Sequence, residues 1–381
     1  MRKLFIVAGE SSGDLHGSAL TAELLRQDPT LSIKALGGPL MQKAGAQLVA
    51  DLTGHAVVGL FEGIRNVGRI YATYRETVRL LKKDRPDAVV LIDYPEFNLR
   101  LARRAKKLGI TVIYYISPQV WAWRRWRVRN IRKYVDKMLV IFPFEESFFR
   151  ERGVEAEFVG HPLVESLSDF PDRQAARAEL ELPSDGLVVG LLPGSRSKEF
   201  ESIFPLLVDS AKKMVDRLEF PITFVCARAP AIENHLIDKH LASGVPVKMV
   251  SGKTYHVMRS SDLLLAASGT ATVEAMILAA PMIVVYKVSK LTYAMLIRFI
   301  KVSRYAMVNI IAGRQVVPEL IQKNATAERI AGEALALIRG KRLPEMADDL
   351  RAVTELLKPP GKAQVTTTVA ERILQSIEKP D

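Results

Sequence analysis

Four short segments combine small residues with a carboxylate or a guanidinium in spacings suited to binding anions and sugars. The first is Gly9-Glu10-Ser11-Ser12-Gly13-Asp14, between an apolar run and a helical stretch. Such a turn lets backbone N–H groups and a helix start meet an anion or a sugar closely. It is neither a dinucleotide fingerprint nor a P-loop. It does fit the G-x-S-x-G elbow of hydrolases, although that elbow normally follows several strands and here it opens the chain; a plain turn is the other alternative. The second segment, Ile92-Asp93-Tyr94-Pro95-Glu96-Phe97-Asn98, places Asp93 at the end of an apolar strand. A carboxylate there is partly desolvated and its pKa rises, which suits a general base; a helix N-cap is the equally open alternative. The third, Leu192-Pro193-Gly194-Ser195-Arg196, adds a guanidinium suited to a diphosphate, or a solvated surface arginine. The fourth, Ala267-Ser268-Gly269-Thr270-Ala271-Thr272-Val273-Glu274, has small residues at a helix start. A phosphate can approach its N–H groups, and Glu274 can accept from a ribose or simply complement the helix dipole.

These segments need strands that end where they begin. Apolar runs rich in β-branched residues predict strands at Lys3–Ala8, Ile33–Leu36, Ala88–Ile92, Thr111–Tyr115, Lys137–Ile141 and Glu157–Val159. A second series is predicted at Leu187–Leu192, Ile222–Cys226, Val247–Val250, Leu263–Ala266 and Met282–Tyr286. Continuous hydrophobicity with helices between is the pattern of parallel sheets covered on both faces. Two series predict two doubly wound α/β domains, with ligands at the carboxyl ends of the strands. The expected division is 1–165, 166–345, and C-terminal helices over 346–381 packing back on the first domain.

Composition narrows the function. With 381 residues, 48% hydrophobic and 25% charged, the chain has ample core for two domains. Cys226 is the single cysteine, which excludes a disulfide framework and is compatible with a reducing cytoplasm. The longest uncharged run, Leu108–Trp123, spans 16 residues and is too short to cross a bilayer. The six histidines form no HxxxH or HExxH pair, so no metal site is expected. The net charge is +12, of which residues 1–160 carry +9, pointing to a phosphate-rich partner. Trp121–Lys133 mixes aromatics with six basic residues and no acid, suited to RNA, to a phosphorylated lipid or to a solvated helix. Val57, Leu60, Phe61, Ile64, Val67, Tyr71, Tyr74, Val78 and Leu81 recur at helical spacing, flanked by Arg65, Arg69, Arg75, Arg79, Lys82 and Lys83. That stripe suits an anionic membrane surface, or a helix packed on a sheet.

Taken together, seven motifs in order resemble the lipid-A-disaccharide synthase family of Gram-negative glycosyltransferases: AGESSGDLHG (8–17), IDYPEFN (92–98), SPQVWAW (117–123), FPFE (142–145), LLPGSR (191–196), ASGTATVEAM (267–276) and NIIAGRQVVPELIQ (309–322). One departure is Glu96, where many relatives carry Asp, so no substrate contact is assigned to it. The resemblance implies a GT-B architecture, two Rossmann-like domains facing each other across a cleft. It implies transfer of 2,3-diacylglucosamine from UDP-2,3-diacylglucosamine to 2,3-diacylglucosamine 1-phosphate, with UDP released and no cofactor. In this reading Asp93 is the base; Arg196, Ser268, Gly269, Thr270, Ala271, Glu274, Asn309 and Gln315 bind the nucleotide; Gly9–Asp14 form a substrate loop. The expected setting is the cytoplasmic face of the inner membrane, with an anionic lipid surface and a second copy of the chain as partners and no nucleic acid. The alternatives are a UDP-GlcNAc 2-epimerase, another lipid-linked transferase or, from a different class, an RNA-binding protein.

Overall fold

A computed structural model describes residues 2–52, 60–230, 232–241, 245–288, 304–361 and 364–378, with backbone alone at 60–67, 238–239 and 241. The chain divides into two compact units, residues 1–165 with 357–381, and residues 166–356. Each is built on one sheet in which every pairing is parallel.

The first sheet has seven strands: β1 (Lys3–Ala8), β2 (Ser32–Gly37), β3 (Gln47–Asp51), β4 (Ala88–Ile92), β5 (Thr111–Tyr115), β6 (Lys137–Val140) and β7 (Ala156–Phe158), in the order β3-β2-β1-β4-β5-β6-β7. The second unit holds β8 (Leu187–Leu192), β9 (Ile222–Arg228), β10 (Val247–Ser251), β11 (Leu263–Ala267), β12 (Met282–Tyr286) and β13 (Glu319–Ile321), ordered β10-β9-β8-β11-β12-β13. Both are doubly wound Rossmann-like sheets. Parallel neighbours need crossovers, and the crossovers cover both faces. Every residue of β4 and of β11 is accordingly buried.

Two strands escape the apolar-run rule. β3 is an edge strand whose residues are all half-buried or exposed, so its sequence QLVAD is not apolar throughout. β13 has three residues, too few for a pattern. The division also differs from expectation at its C-terminal end. The Leu343–Glu355 helix stays in the second unit, packed on the Ala271–Ile277 helix, and Thr354 donates its hydroxyl to the Met276 carbonyl at 3.2 Å. Only the chain from Leu357 returns to the first unit, where the Val365–Ile377 helix packs on α1 (Ser11–Gln27).

Further helices of the first unit are α2 (Pro39–Lys43), α3 (Leu60–Asp84) and α4 (Pro95–Lys107). The amphipathic stripe falls on α3, and Leu81 is fully buried against the sheet. Tyr74 meets Phe97 edge-on at 5.8 Å, and Val78 packs on the same core. Tyr74 therefore faces protein, which corrects its expected membrane role. Tyr71 is 59% exposed. Val57, and the side chains of Leu60, Phe61, Ile64, Arg65 and Val67, lie outside the described residues.

Asp14 ties α1 to the start of α2. Its buried carboxylate accepts from the N–H groups of Gly38 at 2.9 Å, Leu40 at 3.1 Å and Met41 at 3.1 Å. These are N-terminal amides that α2 cannot satisfy internally. Asp14→Ala should therefore cost about 1–2 kcal/mol. A lower midpoint in a thermal melt checks this; an unchanged midpoint would show that the cap is dispensable.

Candidate active site

In an open α/β sheet the crevice for a ligand lies where the strand order reverses. That point falls between β1 and β4 in the first unit and between β8 and β11 in the second. In register, Ala8 sits beside Ile92, and Leu192 beside Ala266. All four segments singled out by composition begin at these two points.

In the first unit, Gly9 and Asp93 follow adjacent strands. Asp93 and Tyr94 both take left-handed backbone, with φ of +45° and +43°, which is unfavourable for residues with a Cβ. The Asp93 carbonyl is held by two donors from below, Tyr114 Oη at 2.5 Å and Asn98 Nδ2 at 2.8 Å. Asn98 also donates to the Ile92 carbonyl at 3.1 Å. The turn throws the Tyr94 ring across Gly9, where a Cβ would lie 2.2 Å from the ring, so any side chain at residue 9 would displace it. With its backbone fixed this way, the half-buried Asp93 carboxyl meets no cation among the described residues. Burial first, then the charges of Glu10 and Glu96, push its pKa up to about 6.

Glu10, Ser11 and Ser12 are exposed at the start of α1, and the Glu10 side chain makes no cap. Gly13 is buried beside Ala8. Asp14 departs from the substrate-loop expectation, because its carboxylate is used in capping α2. His16 and His161 are both pushed down by burial, to about 4 and about 3, which leaves them neutral; His161 Nδ1 accepts from the Leu163 N–H at 3.2 Å.

The Trp/Arg segment follows β5 and is fixed at both ends. Glu145, fully buried, accepts from Ser117 Oγ at 2.5 Å, Trp121 Nε1 at 3.0 Å and the Phe142 N–H at 3.2 Å. Burial still raises its pKa to about 7. Glu96 pairs with Arg124 and Arg127. Against the cost of burial, Arg127 and then Arg124 hold the Glu96 carboxyl below the usual range.

In the second unit, Arg196 is exposed and caps the Ser197–Val215 helix. Glu199, one turn in, folds back onto the loop and accepts from the backbone N–H groups of Ser195 and Arg196. Burial raises its pKa despite that and despite the nearby Arg196 charge. Gly194 has φ of +102°, and a Cβ there would lie 2.3 Å from the Glu199 carboxylate. A protein carboxylate thus occupies the backbone amides beside the guanidinium expected for a diphosphate. Beside it, Gly269 and Thr270 are exposed, Ser268 and Ala271 half-buried. Ser268 donates its N–H to the Val285 carbonyl at 2.9 Å. Glu274 accepts from Tyr255 Oη at 3.2 Å, and burial raises its pKa.

The motif at 309–322 divides. Asn309 is buried, and both ends of its amide are engaged: Nδ2 donates to the Val317 carbonyl at 2.9 Å and Glu319 Oε1 at 2.7 Å, while Oδ1 accepts from the N–H groups of Val316 and Val317. Glu319 in turn accepts from the N–H groups of Tyr305 and Ala306. Asn309 clasps its own loop, which corrects its expected nucleotide contact. Gln315 is exposed. Composition overlooked Tyr114, Asn98, Glu145 and Glu199 as groups that shape the site. Asn98 and Glu145 stood inside the quoted motifs, but no local pattern marks what they hold. Among the described residues no three His, Cys, Asp or Glu side chains gather as metal ligands.

The fold recurs in solved structures. A UDP-GlcNAc 2-epimerase from Neisseria meningitidis bound to UDP-GlcNAc superposes with a TM-score of 0.65 at 12% identity, over 98% of this chain and 100% of that one. MurG from Acinetobacter baumannii superposes with a TM-score of 0.59 at 14% identity, over 98% and 100%. Identities this low carry the fold alone. Sequence carries more. A lipid-A-disaccharide synthase from Geobacter metallireducens is 47% identical over 334 residues, 87% of this chain and 86% of that protein. One from Geobacter sulfurreducens is 41% identical over 99% and 98%. The profile of the lipid-A-disaccharide synthetase family matches residues 4–371. With that match over nearly its whole length, the chain belongs to the lipid-A-disaccharide synthetase family, whose members are UDP-sugar-dependent glycosyltransferases.

Proposed function

We propose that the chain carries out the lipid-A-disaccharide synthase reaction with Asp93 as its general base. Asp93 takes the proton from the 6-hydroxyl of 2,3-diacylglucosamine 1-phosphate. The oxygen attacks C1 of the diacylglucosamine of the UDP-linked donor; the C1–O bond to the diphosphate breaks, and UDP leaves with inversion. The observation behind this reading is a half-buried carboxyl without a cation among the described residues, on a clamped left-handed turn at the first sheet's reversal point. A base contributes about 10²–10⁴-fold to such a step. Its pKa of about 6 keeps Asp93 ionised at neutral pH and still basic enough to accept a proton.

In the second unit, Arg196 and the Ser268–Ala271 loop would take the charge developing on the departing diphosphate. Glu274 would accept from the ribose, and Gln315 would reach the nucleotide from its exposed turn. Asn309 has no part in this, since its amide is engaged within the protein. UDP must also displace the Glu199 carboxylate from the Ser195 and Arg196 amides. The acylated substrates imply contact with the cytoplasmic face of an anionic bilayer. Tyr71, with the exposed Arg69 and Arg75, is the described part of α3 available for it, and no described helix is long and apolar enough to cross a membrane.

Asp93→Asn should cut turnover by about 10²-fold or more while UDP still binds. The same change should raise the melting temperature. A carboxyl shifted from 3.8 to about 6 in the folded state destabilises that state above both values, by about 3 kcal/mol. The gain should be full at pH 8 and shrink towards pH 4; normal turnover in the variant would remove Asp93 from the chemistry.

The acid limb of the rate profile should fall near pH 6, since only the ionised base works. Glu10→Gln removes a like charge and should move that limb to lower pH; an unmoved limb assigns it to another group.

Isothermal titration with UDP tests the second unit. Arg196→Ala should weaken binding about tenfold or more, and Glu199→Gln should strengthen it. Weaker binding in the Glu199 variant would mean that the carboxylate supports the loop rather than competing for it.

A further inference from the structure

Two cations are tied to the loop that carries the proposed base. Glu96, three residues beyond Asp93, accepts from Arg124 Nη1 at 2.9 Å and Arg127 Nη2 at 2.6 Å, both on the one oxygen Oε1. One carboxylate against two guanidiniums leaves the cluster positive. Each guanidinium carries five N–H donors in a planar fork, so this pairing engages a small share of them. Glu96 also lies close enough to Asp93 for its charge to be felt there.

The arrangement is not that of a solvated helix face. On such a face the cations would reach into water and the indoles would turn inward. Here the Arg127 side chain is only 12% exposed, while Trp126 is 64% exposed. Arg127 lies over the Trp126 ring at 5.7 Å and Arg124 over the Trp123 ring at 4.2 Å. Arg124 takes φ of +52°, an unfavourable backbone for a residue with a Cβ. At the other end of the segment, Glu145 anchors Ser117 and Trp121 from the core. Two carboxylates therefore hold two guanidiniums and two exposed indoles in a fixed array beside the Asp93 loop. Positive charge flanked by exposed aromatic surface fits a phosphorylated amphiphile.

Resting on the acceptor assignment above, we infer that Arg124 and Arg127 bind the 1-phosphate of the acceptor sugar. The attacking 6-hydroxyl, carried through C6 on C5, and the anomeric phosphate, on C1, are separate groups held by one rigid hexose ring, on the two carbons that flank the ring oxygen. Anchoring the phosphate on the arginines turns the hydroxyl to Asp93. Glu96 is then a positioning residue: it presents both guanidiniums and touches no substrate itself. The phosphate accepts hydrogen bonds from the forks, and the indoles lie beside the acylated part of the molecule.

The test is steady-state transfer from UDP-2,3-diacylglucosamine to two acceptors, 2,3-diacylglucosamine 1-phosphate and 2,3-diacylglucosamine without phosphate. Arg124→Ala and Arg127→Ala should each raise KM for the phosphorylated acceptor by about tenfold to a hundredfold. Donor KM and UDP affinity should stay unchanged, and the wild-type preference for the phosphorylated acceptor should collapse. Arg124→Lys, a mild change at a partly exposed position, keeps the charge without the fork and should fall between. It also serves as the probe if Arg127→Ala fails to fold. Full preference retained in a folded Arg124→Ala variant would overturn the inference and leave the transfer reading intact. Wild-type protein that makes no disaccharide from either acceptor would instead sink the transfer reading. Single-stranded RNA retained by wild type and lost in both arginine variants, with acceptor kinetics unmoved, would also overturn it and assign the patch to nucleic acid.

Discussion

Both faces of both sheets are covered, and this constraint decides where polar chemistry can sit. β4 and β11 are buried at every position, and a charge placed within them would be unpaired in a dry environment at a cost of several kcal/mol. The first position where that penalty becomes bearable is the residue after the strand. Asp93 follows Ile92 directly, and Ser268 follows Ala267. The reversal of strand order then opens a crevice at those positions in each unit, between β1 and β4 and between β8 and β11. Strand length sets how far along the chain each functional group must stand.

This is why so much was legible beforehand. A run buried on both faces is continuously apolar, so all eleven other strands could be read with ends within about two residues, and the two sheets with them. β3 was hidden because an edge strand is half-exposed, β13 because three residues carry no period. The loops were legible as small-residue turns, but their side-chain roles were not. Asp14 spends its carboxylate on amides 24–27 residues away. Asn309 clasps a turn whose closure depends on Glu319. Tyr74 continues an amphipathic stripe whose partner, Phe97, lies on another helix. Helical spacing says that a face is apolar; it does not say what covers it.

The acids of the first unit divide by the company they keep. Asp14, Glu96 and Glu145 each have two or more donors and hold a turn or a loop in place. Asp93 is the one among these four with no cation or side-chain donor at its carboxyl among the described residues, and the backbone N–H of Tyr94 opposes its upward shift only in part. Glu145 shows that burial alone does not mark a catalytic group, since its pKa is raised further while its oxygens are engaged by Ser117, Trp121 and Phe142. A raised pKa becomes informative when the group is also unpaired and stands at the reversal point.

Asp93 gathers several unfavourable features at one residue. Its backbone is left-handed, as is that of Tyr94. Its carboxyl is half-buried and faces two like charges, Glu10 and Glu96. The Asn98 side chain that helps to hold it leaves its own Oδ1 buried without a hydrogen-bond partner. Each of these costs on the order of 1–3 kcal/mol, and a sequence shaped for stability alone would remove them one by one. They persist together because the Tyr114 hydroxyl and the Asn98 amide, both fixed in the core, bind the Asp93 carbonyl and leave the turn no alternative. The solved structures at 12–14% identity share the fold without sharing most of the residues. Under the proposed role, a base that must be both desolvated and aimed accounts for this strain.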